Sequence, residues 1–252
     1  MKKYKNYIDY LIKSIFAGIM IGIAGTVYLR VDNNLFGAFL FSIGLHVICM
    51  YGMNLFTGKV GYVLINKFNE TSKEKLQKLE QESVLIKLTT LNLNPIINDV
   101  SFESLKQLHE FIFCDVYPFA GKIRTCTLSK NGYNFLPPEM IDSECRETIL
   151  KYSSQIDKVS SVGEYAFVLA PFYYDLIRIH PFREGNGRTI REFLREVVLL
   201  KNKVLPFDVE LDYTKVNKDN LMLGTKERYF YPSMLEMEFM NSLIPLEKSK
   251  KL

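Results

Sequence analysis

Between residues 180 and 191 the chain reads HPFREGNGRTIR, and most residues of that string can do chemistry on a phosphate. Gly185, Asn186 and Gly187 stand where a turn runs into a helix N-terminus, whose backbone N–H groups and dipole suit an anion. Arg188 and Arg191, three apart, project from one side of that first turn and can fork onto phosphate oxygens. Glu184, a carboxylate beside the nest, is placed to hold Mg2+. His180 is the one group in the string able to take a proton near neutral pH. A glycine-containing interhelical turn with a satisfied histidine would explain any one of these features, but not the set.

Holding such a set in place takes two helices. Residues 164–179, EYAFVLAPFYYDLIRI, read as a largely buried helix. Beyond the loop, Ile190, Phe193, Leu194, Val197 and Val198 recur at the spacing of an amphipathic helix. Upstream, IRTCTL, SKNG and YNFL (residues 123–136) read as a β-hairpin that turns at Asn131-Gly132 and stops at Pro137-Pro138. Further upstream still, Thr71 and Glu74 have the spacing of a capping box. A polar helix follows, with Leu76, Leu79, Val84 and Leu88 at approximate helical spacing, and Pro95 ends it. Its charges read as a solvated face.

The string at 180–191 resembles the signature of the Fic family (filamentation induced by cyclic AMP), HPFx(D/E)GNGRxxR, at every specified position. DVYPFAGKIRT (115–125) is similar to that family's stretch before its active-site flap, and LDYTKVNKDNL (211–221) to its C-terminal helix. The resemblance implies an all-α Fic fold, a helical bundle with a β-hairpin flap, over about residues 85–245. It implies transfer of AMP from ATP to a Tyr, Thr or Ser hydroxyl of a target protein. His180 would be the general base, and Glu184 would coordinate Mg2+ between the α- and β-phosphates. Gly185, Asn186 and Gly187 would cradle the phosphates, with Arg188 on the β- and Arg191 on the γ-phosphate. Phe182 would be core. Relatives that phosphorylate carry lysine where this chain has Gly187, so AMP transfer is favoured. The hairpin would be the flap that registers a target segment by strand addition, through Ile123, Thr125, Thr127, Lys130 and Gly132. Many members also carry an inhibitory helix with Ser or Thr, three residues, Glu, then Gly or Asn. The nearest string here, Ser160 to Tyr165, has tyrosine at the last position, so a small separate antitoxin is one possible partner.

The first 66 residues are of another kind. Residues 15–29 and 35–58 carry no Asp, Glu, Lys or Arg. As helices they would reach about 22 and 36 Å, against a hydrocarbon core of about 30 Å. We therefore expect a two-helix transmembrane hairpin in front of the helical bundle, with a linker helix at 67–90. Lys13 and Arg30 would snorkel, and Ala17, Gly18, Gly22 and Gly25 would let the helices approach closely. The basic N-terminus (Lys2, Lys3, Lys5, Lys13) keeps that end in the cytoplasm, and the hairpin delivers the rest of the chain there too. KSIFAGIMIGIAGTVYL (13–29) and NLFTGKVGY (54–62) resemble a piece of the formate/nitrite transporter family, whose six-helix channels two helices cannot reproduce.

Composition excludes several classes. With 48% hydrophobic and 24% charged residues the 252-residue chain is not disordered, and four cysteines make no disulfide scaffold. The net charge of +4 is carried by residues 1–66, so the remainder has no footprint for nucleic acid. Cys49, Cys114, Cys126 and Cys145 lack metal-ligand spacing, His109 reads as a packing histidine, and Met234, Met237 and Met240 read as a packing stripe. The residues alone leave open transfer of another nucleotide or phosphate-linked group, or a fusion relic that binds nucleotide or protein without turnover.

Overall fold

The computed structural model describes residues 2–31, 33–50, 64–130, 133–226 and 233–246. Its contacts divide the chain into two units, residues 1–63 with 71–73, and residues 64–70 with 74–252.

In the first unit α1 (Lys2–Arg30) packs against α2 (Asn34–Met50). Of the small residues expected at the close approach, Ala17 is buried and the three glycines are not part of it. Ala17 and Ala24, two turns apart, are buried, and a Cβ on Gly44 would lie 2.6 Å from the Ala24 Cβ. Gly18, Gly22 and Gly25 face open space, because they lie off that stripe. Ile15, Phe16, Ile19, Ile23, Leu35 and Phe39 are exposed. Among the described residues Ile12–Arg30 is long and apolar enough to cross a membrane, and Leu35–Gly44 is a shorter apolar stretch. The end of the expected second span lies outside the described residues.

The second unit is helical. It comprises α3 (Lys73–Leu93), α4 (Phe102–Phe113), α5 (Ile141–Ile156), α6 (Val162–Ile179), α7 (Asn186–Lys201), α8 (Lys218–Lys226) and α9 (Met234–Ser242). Helix α3, expected as a linker, lies in this same unit. Its buried stripe is Leu76, Glu80, Val84 and Leu91, with a carboxylate in the middle. After Pro95 the backbone N–H groups of Ile96 and Ile97 donate to the buried Glu196 carboxylate of α7 at 2.7 and 2.9 Å. Arg195 donates to the Leu91 carbonyl at the end of α3. The core is built by α4 to α7: Leu105, Leu108 and Ile112 of α4, Leu169, Phe172 and Leu176 of α6 and the full apolar stripe of α7 are all fully buried, and α4 and α6 each pack on α7. On α9 the buried residues are Leu235, Glu236, Glu238, Phe239 and Ser242, while Met237 is exposed and Met240 lies at the edge with its methyl near Gly163, so the methionine spacing marks the outer face.

The hairpin is shorter than the sequence suggests. Strands β1 (Ser129–Lys130) and β2 (Tyr133–Asn134) pair antiparallel, with Ser129 opposite Asn134 and Lys130 opposite Tyr133. The turn expected at Asn131-Gly132 lies outside the described residues. Leu128 still accepts from the Phe135 N–H at 3.0 Å. Residues 123–127 form no strand because their polar groups are engaged elsewhere. The Arg124 N–H donates to the Pro181 carbonyl, and the carbonyls of Cys126 and Leu136 are taken by the Arg124 guanidinium. The alternation survives: Arg124 is buried while Thr125 and Thr127 are exposed. A second small pair, β3 (Val209–Leu211) with β4 (Leu243–Pro245), ties the end of the unit to α7.

Candidate active site

Helix α6 ends on His180, which takes the left-handed conformation (φ 53°) and donates its backbone N–H to the Leu176 carbonyl. Glycine is the usual residue at such a cap, and a side chain there costs about 1–2 kcal/mol. The strain turns the chain out of the helix into Pro181. Nδ1 of His180 lies 3.1 Å from the Ile177 carbonyl. A carbonyl only accepts, so Nδ1 carries the proton and the lone pair is on Nε2. The ring stacks on Phe135 of the flap at 3.8 Å between centroids.

The loop from 181 to 185 is closed by Asn186. Its side chain accepts from the Phe182 N–H at 2.8 Å and donates to the Phe182 carbonyl at 2.7 Å. What Asn186 offers an anion is therefore its backbone N–H and not its amide. Phe182 is fully buried and stacks on His109 at 3.8 Å. Gly185 caps α7 at φ 79°, pressed on Phe113. The first turn of α7 leaves the amides of 186 and 187 without intrahelical acceptors. A Cβ on Gly187 would meet only Nη1 of Arg191, at 3.3 Å, so that guanidinium sits beside the first turn. Burial pushes the Tyr173 phenol on α6 up, and the charge of Arg191 pulls it part of the way back down.

Arg188 is engaged in a way the sequence did not suggest. Its Nη2 forms an ion pair with the buried Glu80 of α3 and lies 3.5 Å from Glu184, and its guanidinium sits 4.8 Å over the Phe113 ring. Tyr117 donates its hydroxyl to the other oxygen of Glu80, and burial and that carboxylate push the phenol well above its ordinary range. Glu80 thus orients Arg188. Glu184 is exposed, and its Oε1 accepts from the Gly185 N–H at 3.0 Å. Ser160 and Glu164, in the nearest string to an inhibitory motif, form a helix cap: the Glu164 carboxylate accepts from the Ser160 N–H and hydroxyl at 2.8 Å each. The flap residues Thr125 and Thr127 are exposed and Ile123 is half-buried, Lys130 lies in β1, and Gly132 is outside the described residues.

His109 does more than pack. Its Nδ1 accepts from the Gly121 N–H at 2.8 Å, so Nε2 carries the proton and donates to the Glu184 carbonyl at 3.0 Å. One buried imidazole joins the turn before the flap to the phosphate loop. Burial pushes it down from 6.5 to about 4. The unfolded chain binds a proton at about 6.5 while the folded chain binds it only near 4, so acid favours unfolding across that window. We expect about 3 kcal/mol of stability to be present above pH 6.5 and lost toward pH 4. Melting temperatures measured from pH 7 to 4 should fall more steeply in wild type than in His109→Gln; equal slopes would remove this assignment.

A helical bundle with a hairpin flap over a phosphate-type helix N-terminus defines the class. Residues 99–197 match the model of the Fic/DOC family, and residues 1–80 match that of the formate/nitrite transporter. The chain is 30% identical over 135 residues to the probable protein adenylyltransferase y4lH of Sinorhizobium fredii, covering 53% of this chain and 69% of that protein. It is 26% identical over 170 residues to the protein adenylyltransferase VbhT of Bartonella schoenbuchensis, covering 67% of this chain but only 34% of that longer protein. The crystal structure of the BepC protein from Bartonella tribocorum, with bound AMPPNP, matches with a TM-score of 0.65 at 20% identity, over 75% of this chain and 96% of that one. The chain belongs to the Fic/DOC family.

Proposed function

We propose that this chain transfers AMP from ATP to a Tyr, Thr or Ser hydroxyl of a target protein. The observation that supports it best is the contact of His180 Nδ1 with the Ile177 carbonyl, which leaves Nε2 of the neutral ring with the lone pair beside a phosphate-type loop. The target oxygen attacks the α-phosphorus and its proton passes to Nε2. The bond from the α-phosphorus to the oxygen bridging to the β-phosphate breaks, and pyrophosphate leaves. Arg188, Arg191 and the first-turn N–H groups hold the triphosphate and the charge that builds on the leaving group. Glu184 suits Mg2+, which takes one or two carboxylates, phosphate oxygens and water. When bound, the cation would neutralise phosphate charge. The uncharged runs and basic N-terminus suggest a membrane anchor with the catalytic part on the cytoplasmic side.

The test uses the full chain in detergent micelles with a lysate, comparing α-labelled with γ-labelled ATP. Label should reach protein from the α-position only, and chelation with EDTA should abolish it. Label from the γ-position would make the reaction phosphorylation and overturn the reading of Gly187. In cell membranes the chain should resist carbonate extraction; full release would remove the anchor.

A further inference from the structure

Arg124 carries a charge into the protein with no carboxylate among the described residues to meet it. It is 3% exposed, and among the described residues its guanidinium bonds only to carbonyls. Nε donates to His180 at 2.7 Å, Nη1 to Cys126 at 2.8 Å, and Nη2 to Leu136 and, at 3.2 Å, to Ile179. Four carbonyls satisfy four of the five N–H donors that a guanidinium has. Two of them, Ile179 and His180, are the orphan carbonyls at the C-terminus of α6, the negative end of its dipole. The helix end therefore takes the place of the missing counter-ion.

The identity of the four carbonyls is what matters. Cys126 lies on the limb entering the flap, and Leu136 on the limb leaving it. Ile179 and His180 are the strained helix end that aims the imidazole. Phe135, next to Leu136, stacks on that imidazole. The backbone N–H of Arg124 fixes the same corner from the other side, through the Pro181 carbonyl. One side chain thus holds both limbs of the hairpin against the backbone of the histidine.

We propose that Arg124 is a positioning residue: it couples the flap to His180, so that a segment registered on the flap presents its hydroxyl to Nε2. This rests on the reading of the site as one for AMP transfer to a protein. Arg124 is buried and its guanidinium is taken up by backbone carbonyls, so its removal should spare ATP binding and lower turnover. Lysine in its place keeps the charge but cannot span four divergent carbonyls.

The experiment uses the full chain in detergent micelles as wild type, Arg124→Lys and Arg124→Met. AMP transfer is followed from α-labelled ATP, ATP affinity with a fluorescent ATP analogue, and the ring nitrogens of the three histidines by long-range 1H–15N NMR. The Lys variant should lose about 10- to 100-fold in kcat, the range that one or two lost charge-assisted hydrogen bonds give. The Kd for the analogue should stay within about 2-fold, as expected where no phosphate contact is lost. The His180 signals should move from a single Nδ1–H tautomer toward a mixture, while those of His109 stay in place. Unchanged kcat in Arg124→Lys would overturn the proposal, and so would parallel losses of kcat and ATP affinity. Loss of the folded state in both variants, read by circular dichroism, would make the role structural and equally overturn it. An inactive wild type would instead strike at the AMP-transfer reading, while the tautomer comparison still decides whether Arg124 aims the ring.

Discussion

His180→Ala should lower AMP transfer by about 1,000-fold, within the 100- to 10,000-fold that a positioned general base supplies. ATP affinity should stay within about 2-fold, because on the proposed reading other groups hold the phosphates. Those groups are the first-turn amides of α7, Arg188 oriented by Glu80, and Arg191 beside Gly187. Nε2 is the atom with the lone pair, and the Nδ1–H bond to Ile177 keeps it so. The measurement is label transfer from α-labelled ATP under saturating nucleotide, beside the affinity of a fluorescent analogue. Transfer above a tenth of wild type would remove the base assignment. His180 also sits in a conformation that glycine tolerates better, so His180→Gly should be as inactive as His180→Ala yet about 1 kcal/mol more stable. That pair separates the chemical role of the imidazole from the strain of its backbone.

How much of the site could be read from the chain depends on how local the chemistry is. The turn read as anion-binding is contiguous, and a helix N-terminus needs only its own residues, so the string at 180–191 carries that reading by itself. The two flanking helices followed from their apolar periods. The three groups that hold the turn in place came from far along the chain. His109 reaches Glu184 across 75 residues, and Arg124 reaches His180 across 56. Each wore a familiar local pattern. Glu80 sat in a charge run that looked solvated, although its place four residues from both Leu76 and Val84 put it on the apolar stripe, where an acid needs a partner. Arg124 stood at an inward position between residues typical of a strand, where a guanidinium has to find acceptors. The same guanidinium explains why the strands are shorter than their composition suggests, since it takes the carbonyls a longer ladder would use.

Gly185→Ala should be the most damaging single methyl in the catalytic unit. Two penalties add. The backbone there has φ 79°, where any L side chain costs about 1–2 kcal/mol. The new Cβ would also lie 2.3 Å from two atoms of the Phe113 ring. That ring cannot swing away easily: it is fully buried, packed on His109 at 4.9 Å, and lies under the Arg188 guanidinium. Overpacking of this kind costs about 1–3 kcal/mol. We expect a total near 3 kcal/mol, which in a domain of this size lowers Tm by about 6–12 °C. Because Gly185 opens the first turn of α7, ATP affinity should fall with stability, unlike in His180→Ala. The decisive control is the Phe113→Leu background, which removes the ring atoms that clash. There Gly185→Ala should cost only the conformational part, leaving a coupling of about 2 kcal/mol between the two sites. If the two changes are instead additive, the loop yields to the methyl without involving Phe113. The phosphate site would then be less tightly braced by α4 than its packing implies.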